Sequence, residues 1–218
     1  MISIISCRRK NPQLCMVNQK KEIMKKLFPV VLLVSVCLTY ASAQNAYEST
    51  TSQLFIEGTS NVHDWKSEAN KVTASGDLTL EASTLKAIKT LKVEIPVGSI
   101  KSTKGSIMDK KTWGSLKKET HPTITYVLTK VNSLTKNGDS YDIKATGNLT
   151  IAGETRSIEM TVKAKVAVDG SIQLEGSKPL KMTDFKIDPP TALMGAMKTG
   201  NDITISFSIK MVKDSKVN

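Results

Sequence analysis

Ser140-Tyr-Asp-Ile-Lys-Ala-Thr-Gly-Asn-Leu-Thr-Ile-Ala-Gly-Glu-Thr-Arg-Ser-Ile-Glu-Met-Thr-Val-Lys-Ala-Lys-Val-Ala-Val168 is the stretch on which the fold turns. Tyr141, Ile143, Ala145, Leu149 and Ile151 share one parity of a first run. Ile158, Met160, Val162, Ala164, Val166 and Val168 share one parity of a second. A strand sends alternate side chains to opposite faces, so each run has one apolar face and one face of Lys, Glu and Thr. Between them Ala152-Gly153-Glu154-Thr155 is short enough to close a hairpin. Two long strands with one apolar face each need more strands around the same interior.

Those strands lie on both sides. Asn137-Gly138-Asp139 turns the chain into the hairpin from a run carrying Ile124, Tyr126 and Leu128, and Asp169-Gly170 turns it out toward Ile172-Gln173-Leu174. Residues 179–187 form a further extended piece, and Ile203, Ile205, Phe207, Ile209 and Met211 give the cleanest alternation of all. Upstream, residues 44–53 are a polar, loose lead-in, followed by strands at 54–60, 72–80 and 85–96, the last closed by Pro96. Two connections break the period. Residues 99–119 hold Ile107, Met108, Trp113 and Leu116 among Lys, Gly and Ser, with helical spacing from Trp113 to Leu116, which predicts one or two short helical turns; residues 188–197 hold Leu193, Met194 and Met197. Long, partly apolar connections in an all-strand chain often act as lids. Eight or nine strands without a long helix or a repeat predict one all-β domain, a sandwich or a barrel.

The first 43 residues are set apart. Met24-Lys-Lys, an apolar run over 27–39 and Ala41-Ser-Ala43 follow the order of a secretory signal peptide, with cleavage near Ala43. The apolar run is shorter than the roughly 20 residues that span a bilayer. Residues 1–23 then read as an over-called start, with Met24 the true one. All three cysteines (Cys7, Cys15, Cys37) fall in the removed part, so the exported domain at 44–218 folds without disulfides, on core packing alone. The formal charge of +11 falls to +5 once residues 1–43 are removed. Spread among strands, that excess is solvated Lys with a weak preference for anionic surfaces and no nucleic-acid signature.

Catalytic and metal chemistry find little to work with. The domain has no Cys and only His63 and His121, without the spacing of a metal site. There is no nucleophile elbow and no phosphate loop; Gly195 to Gly200 has its Gly and Lys in the wrong order. Few and scattered aromatics offer no stacking platform for single strands. We expect no cofactor, no metal, no enzyme activity and no nucleic-acid partner. What stands out is apolar surface in the two irregular connections, Met suiting a site that adapts to a flexible ligand.

The order of several short motifs resembles the YceI-like family of exported bacterial proteins. They are Gly58-Thr-Ser-Asn-Val-His-Asp-Trp65, Val97-Gly-Ser-Ile-Lys-Ser102, Met108-Asp-Lys-Lys-Thr-Trp113 with Leu116, and His121-Pro-Thr-Ile-Thr-Tyr126. Gly147-Asn-Leu-Thr-Ile-Ala-Gly-Glu-Thr-Arg156, Asp184-Phe185 and Gly200-Asn-Asp-Ile-Thr-Ile205 complete the series, which spans about 54–211. The sequence departs from the family where Met182 stands for an Arg, Met108-Asp109 for an Arg-Asp pair, and Lys186 for the Gly of Asp-Phe-Gly. The resemblance implies a single antiparallel eight-stranded, lipocalin-like β-barrel with short helical lid segments.

It also implies a periplasmic or secreted protein that holds an isoprenoid lipid or isoprenoid quinone, with room for transient membrane contact. An eight-stranded barrel is just wide enough to be filled by side chains or to hold one slender ligand. The expected lining is Val93, Ile95, Ile124, Tyr126, Leu128, Leu149, Met160, Val162, Phe185, Ile205 and Phe207. Met108, Trp113, Leu116 and Met194 are expected at the mouth, and Trp113→Ala is expected to act mainly on binding. Two other readings compete: a filled barrel serving as a structural or protein-interaction module, and an enzyme using His63 and Asp64.

Overall fold

The computed structural model describes residues 45–214. The expected extension at 1–23 and signal peptide at 24–43 lie outside the described residues. Eleven strands form in chain order: β1 (Ala46–Ser60), β2 (Trp65–Ala69), β3 (Thr73–Glu81), β4 (Thr84–Pro96), β5 (Ile100–Ser102), β6 (Thr123–Asn137), β7 (Ser140–Ile151), β8 (Glu154–Val166), β9 (Ile172–Lys181), β10 (Thr191–Ala192) and β11 (Met197–Lys213). One α-helix, α1 (Ser106–Ser115), lies between β5 and β6.

Eight of the strands close on themselves in the order β1, β11, β9, β8, β7, β6, β4, β3, with β3 pairing back to β1. All neighbours are antiparallel, and every strand of the closed order has a neighbour on both sides, although β8 and β9 pair only over Val162–Val166 and Ile172–Gly176. At one end β2 and β5 extend the sheet from β1, and β10 pairs with the start of β11.

The deciding hairpin forms in the register its alternation asks for, Tyr141 opposite Ala164 and Ile143 opposite Val162. Its loop is tighter than expected. Ile151 pairs with Glu154, which leaves only Ala152 and Gly153 as loop residues, both at positive φ (50° and 87°). A two-residue loop of that kind matches the twist of the flanking strands. From Tyr141 to Ile151 the inward residues of β7 are buried, and from Ile158 to Val166 those of β8 are apolar and buried or half-buried, with polar residues facing outward between them.

Three expectations are corrected. Residues 44–53 are not a loose lead-in. β1 starts at Ala46 and pairs with β11 from Tyr47↔Lys213 onward, with Tyr47 buried. A strand is held by its backbone ladder, so a polar outward face does not prevent it. Residues 179–187 are not a separate strand either. Pro179 belongs to β9, opposite Thr204, and the chain then turns through a 3-10 segment at Met182–Phe185. The connection at 99–119 holds one helix of ten residues where one or two turns were expected.

That helix is fastened by polar contacts. The Asp109 carboxylate accepts the Ser102 N–H at 2.7 Å and ion-pairs with Lys101 Nζ at 3.3 Å. The Ser102 N–H, then Lys101, hold its carboxyl below the usual carboxylate range. The Trp113 indole Nε1–H donates to the Ile100 carbonyl at 2.9 Å, and the ammonium groups of Lys101 and Lys118 each lie 4.3 Å from its ring centroid.

Candidate functional site: the barrel lumen

The inward faces of the strands do not fill the barrel. They enclose a cavity of about 560 Å³, within the range of small-molecule sites. Every strand of the closed barrel contributes to its wall, which is mostly Leu, Ile, Val, Met and aromatic side chains, with Ala74 from β3; Ser, Thr, His and Lys residues also lie on it, and no carboxylate does. A cavity so poor in polar partners cannot hold ordered water well. It suits a chain of hydrocarbon.

Two glycines help keep the lumen open. Gly147 on β7 faces inward, and the Tyr126 ring lies so close over it that a Cβ there would overlap the end of the ring. At Gly176 on β9 a Cβ would stand 2.6 Å from Cζ of Phe207, its partner across the ladder to β11. Both rings therefore lie against the wall, over backbone that carries no side chain. The Tyr126 hydroxyl is buried and has no hydrogen-bond partner among the described residues. Burial pushes its pKa up, because the phenolate would be charged in apolar surroundings.

The cavity reaches solvent at the α1 end, where exposed His63, Lys104, Ile107, Thr191 and Lys198 form part of its wall. α1 presents Ile107, Lys111 and Ser115 together with Met108, Thr112 and Leu116, two rows at four-residue spacing, to the lumen.

A YceI-like domain matches residues 46–211. The chain belongs to the YceI-like family. Solved structures share the fold of this YceI-like barrel. One is BcnA of Burkholderia cenocepacia, at 17% identity and TM-score 0.55, covering 73% of this chain and 95% of that one. Another is described as a polyisoprenoid binding domain from Saccharophagus degradans implicated in plant cell wall breakdown, at 10% identity and TM-score 0.62, covering 78% and 99%. A mutant YCEI protein of Campylobacter jejuni follows at 22% identity and TM-score 0.51, covering 66% and 82%. No curated protein matches the chain in sequence.

In this YceI-like barrel, Val93, Ile95, Ile124, Tyr126, Leu128, Leu149, Met160, Val162, Phe185, Ile205 and Phe207 all lie on the cavity wall, as do Met108 and Leu116. Two residues expected at the mouth do not. Trp113 points off the lumen-facing rows of α1 and spends its indole N–H on Ile100, so it anchors the helix and does not line the cavity. Met194 sits in a left-handed turn (φ 53°) with its side chain fully in solvent, and Met197 lines the wall instead.

Sequence reasoning missed Lys178. It shares the inward parity of Ile172, Leu174 and Leu180 and lines the cavity; the alternation of β9 alone would have flagged it. His63 is on the rim, but it makes no hydrogen bond to exposed Asp64, which is not on the wall. Among the described residues no three His, Cys, Asp or Glu side chains come together as a metal site would require. Lys186 takes a left-handed conformation (φ 52°) and reaches Glu154 at 2.7 Å.

Proposed function

We propose that this chain is an exported carrier that holds one isoprenoid-type lipid, a polyprenyl chain or an isoprenoid quinone, in the barrel lumen for transport or storage. The observation that carries the reading is the 560 Å³ apolar cavity inside a closed barrel. Shielding an insoluble chain there gains about 25 cal/mol for each Å² of apolar surface removed from water. The polyisoprenoid binding domain of Saccharophagus degradans, alike in fold, supports the ligand class. The signal-peptide pattern at 24–43 and a domain free of cysteine support a periplasmic or secreted location. A filled structural barrel would pack to interior density, with few voids larger than a water; the cavity speaks against it.

Trp65 lies on the cavity wall and serves as a reporter. Titrating delipidated protein with geranylgeraniol should change Trp65 fluorescence saturably, with an end point of one lipid per chain. A linear, unsaturable response, or none, would overturn the carrier reading.

A further inference from the structure

Four lysines line the cavity: exposed Lys104 and Lys198 at the rim, Lys111 on α1, and Lys178 on the inward parity of β9. β9 alternates Ile172, Leu174, Gly176, Lys178 and Leu180 inward, and Lys178 lines the cavity beside its ladder partner Ile205. Its surroundings differ from those of the lysines nearby. Lys181 and Lys186 point outward and are paired, with Asp202 at 3.0 Å and Glu154 at 2.7 Å. The Lys178 ammonium has neither ion pair nor hydrogen bond among the described residues, and no Asp or Glu lies anywhere on the cavity wall.

The position is also a seam in the barrel. The β8–β9 ladder runs from Val166↔Ile172 to Val162↔Gly176 and stops there. Both strands continue, β8 back to Glu154 along β7 and β9 on to Lys181 along β11, without pairing with each other. Continued in register, the ladder would set Met160 opposite Lys178, and both line the cavity. Pro179 follows at once, a residue that cannot donate to a ladder and belongs where a strand has lost a neighbour. A chain with four methylenes and a charged end suits this seam, because its stem packs on the apolar wall while its end stays near water.

We infer that Lys178 receives the acidic head of the bound lipid, which makes the preferred ligand an isoprenoid-type amphiphile ending in a carboxylate or a phosphate. This rests on the carrier reading above and adds the head group and its place. The head lies at the seam between β8 and β9, and the tail runs along the lumen past Met160 and the Phe207 ring. A neutral head at the same place leaves the ammonium without a counter-charge, so the protein discriminates by charge as well as by shape. The wall carries no carboxylate to compete.

The test uses pairs of probes with like chains and unlike heads: retinoic acid against retinol for the carboxylate, and farnesyl phosphate against farnesol for the phosphate. Each is titrated into the delipidated full chain with Trp65 fluorescence as the readout. The acid of at least one pair should bind about tenfold or more tighter than its alcohol, equivalent to about 1.4 kcal/mol. The pair with the larger ratio tells carboxylate from phosphate. In Lys178→Met the ratio should fall to near one while the alcohols keep their affinity; in Lys178→Arg, which keeps the charge, the preference should persist. Equal binding of acid and alcohol by the unaltered chain would overturn the inference and leave the carrier reading standing. So would a preference that survives Lys178→Met, or one abolished instead by replacing the other wall lysines, Lys104, Lys111 and Lys198, with Met. If none of the four probes binds, the carrier reading falls and takes the inference with it.

Discussion

Gly147→Ala is the smallest change that should close the lumen. The added Cβ would overlap the end of the Tyr126 ring, so the ring must lift off the β7 backbone, and the space open to it is the cavity. Overpacking of this kind costs about 1–3 kcal/mol. In a domain of this size each kcal/mol lowers Tm by about 2–4 °C. Urea unfolding of the single variant should show that loss, and the geranylgeraniol titration should weaken with it. The control is the Tyr126→Ala background. With the ring gone the closest overlaps, all with Tyr126, are removed, and Gly→Ala in a strand should become neutral or favourable by up to about 1 kcal/mol. Non-additivity between the two sites is therefore the signature. If Gly147→Ala has the same effect on stability with and without the Tyr126 ring, the account of how the lumen stays open is wrong.

Tyr126→Phe removes a buried hydroxyl that has no partner; it should raise stability by about 1–3 kcal/mol, read from urea midpoints. Because the folded-state pKa of Tyr126 is raised, its part of the stability is intact below about pH 10 and lost as pH rises beyond it; Tyr126→Phe should flatten that alkaline fall. Trp113→Ala should act on α1 and not on the lumen wall. Leaving the Ile100 carbonyl without its donor costs about 1–3 kcal/mol, and hydrogen exchange over Ser106–Ser115 should speed up ahead of the barrel strands. Asp109 has a lowered folded-state pKa, so its contribution is present above about pH 4 and disappears as pH falls below it. Acid should loosen α1 first, and Asp109→Asn should show that loosening already at pH 7.

The barrel was legible because its strands alternate. Tyr141 to Ile151, Ile158 to Val166 and Ile203 to Met211 each carry one apolar parity, and the structure closes them around one interior. The first residues of β1 escaped notice because their ladder to β11 does not depend on the polar side chains they carry. The turn at Ala82-Ser83, both at positive φ, has no glycine to announce it. At the site, inward parity placed the strand residues, but α1 was harder to read. Its lumen-facing rows mix Ile107, Met108 and Leu116 with Lys111, Thr112 and Ser115, so hydrophobicity does not mark the face. Trp113, the largest side chain of the helix, turns away to a backbone carbonyl. Lys178 was passed over for the opposite reason: a charged residue on an inward parity reads as an exception until the cavity is seen.

The central claim, a lipid held in the lumen, meets its most direct test in native mass spectrometry with organic extraction on protein purified gently from a bacterial envelope. The account predicts one co-purifying isoprenoid-type lipid per chain, lost from Gly147→Ala in proportion to its weaker titration. A clean apo mass, with no adduct after isoprenoids are added back, would contradict it.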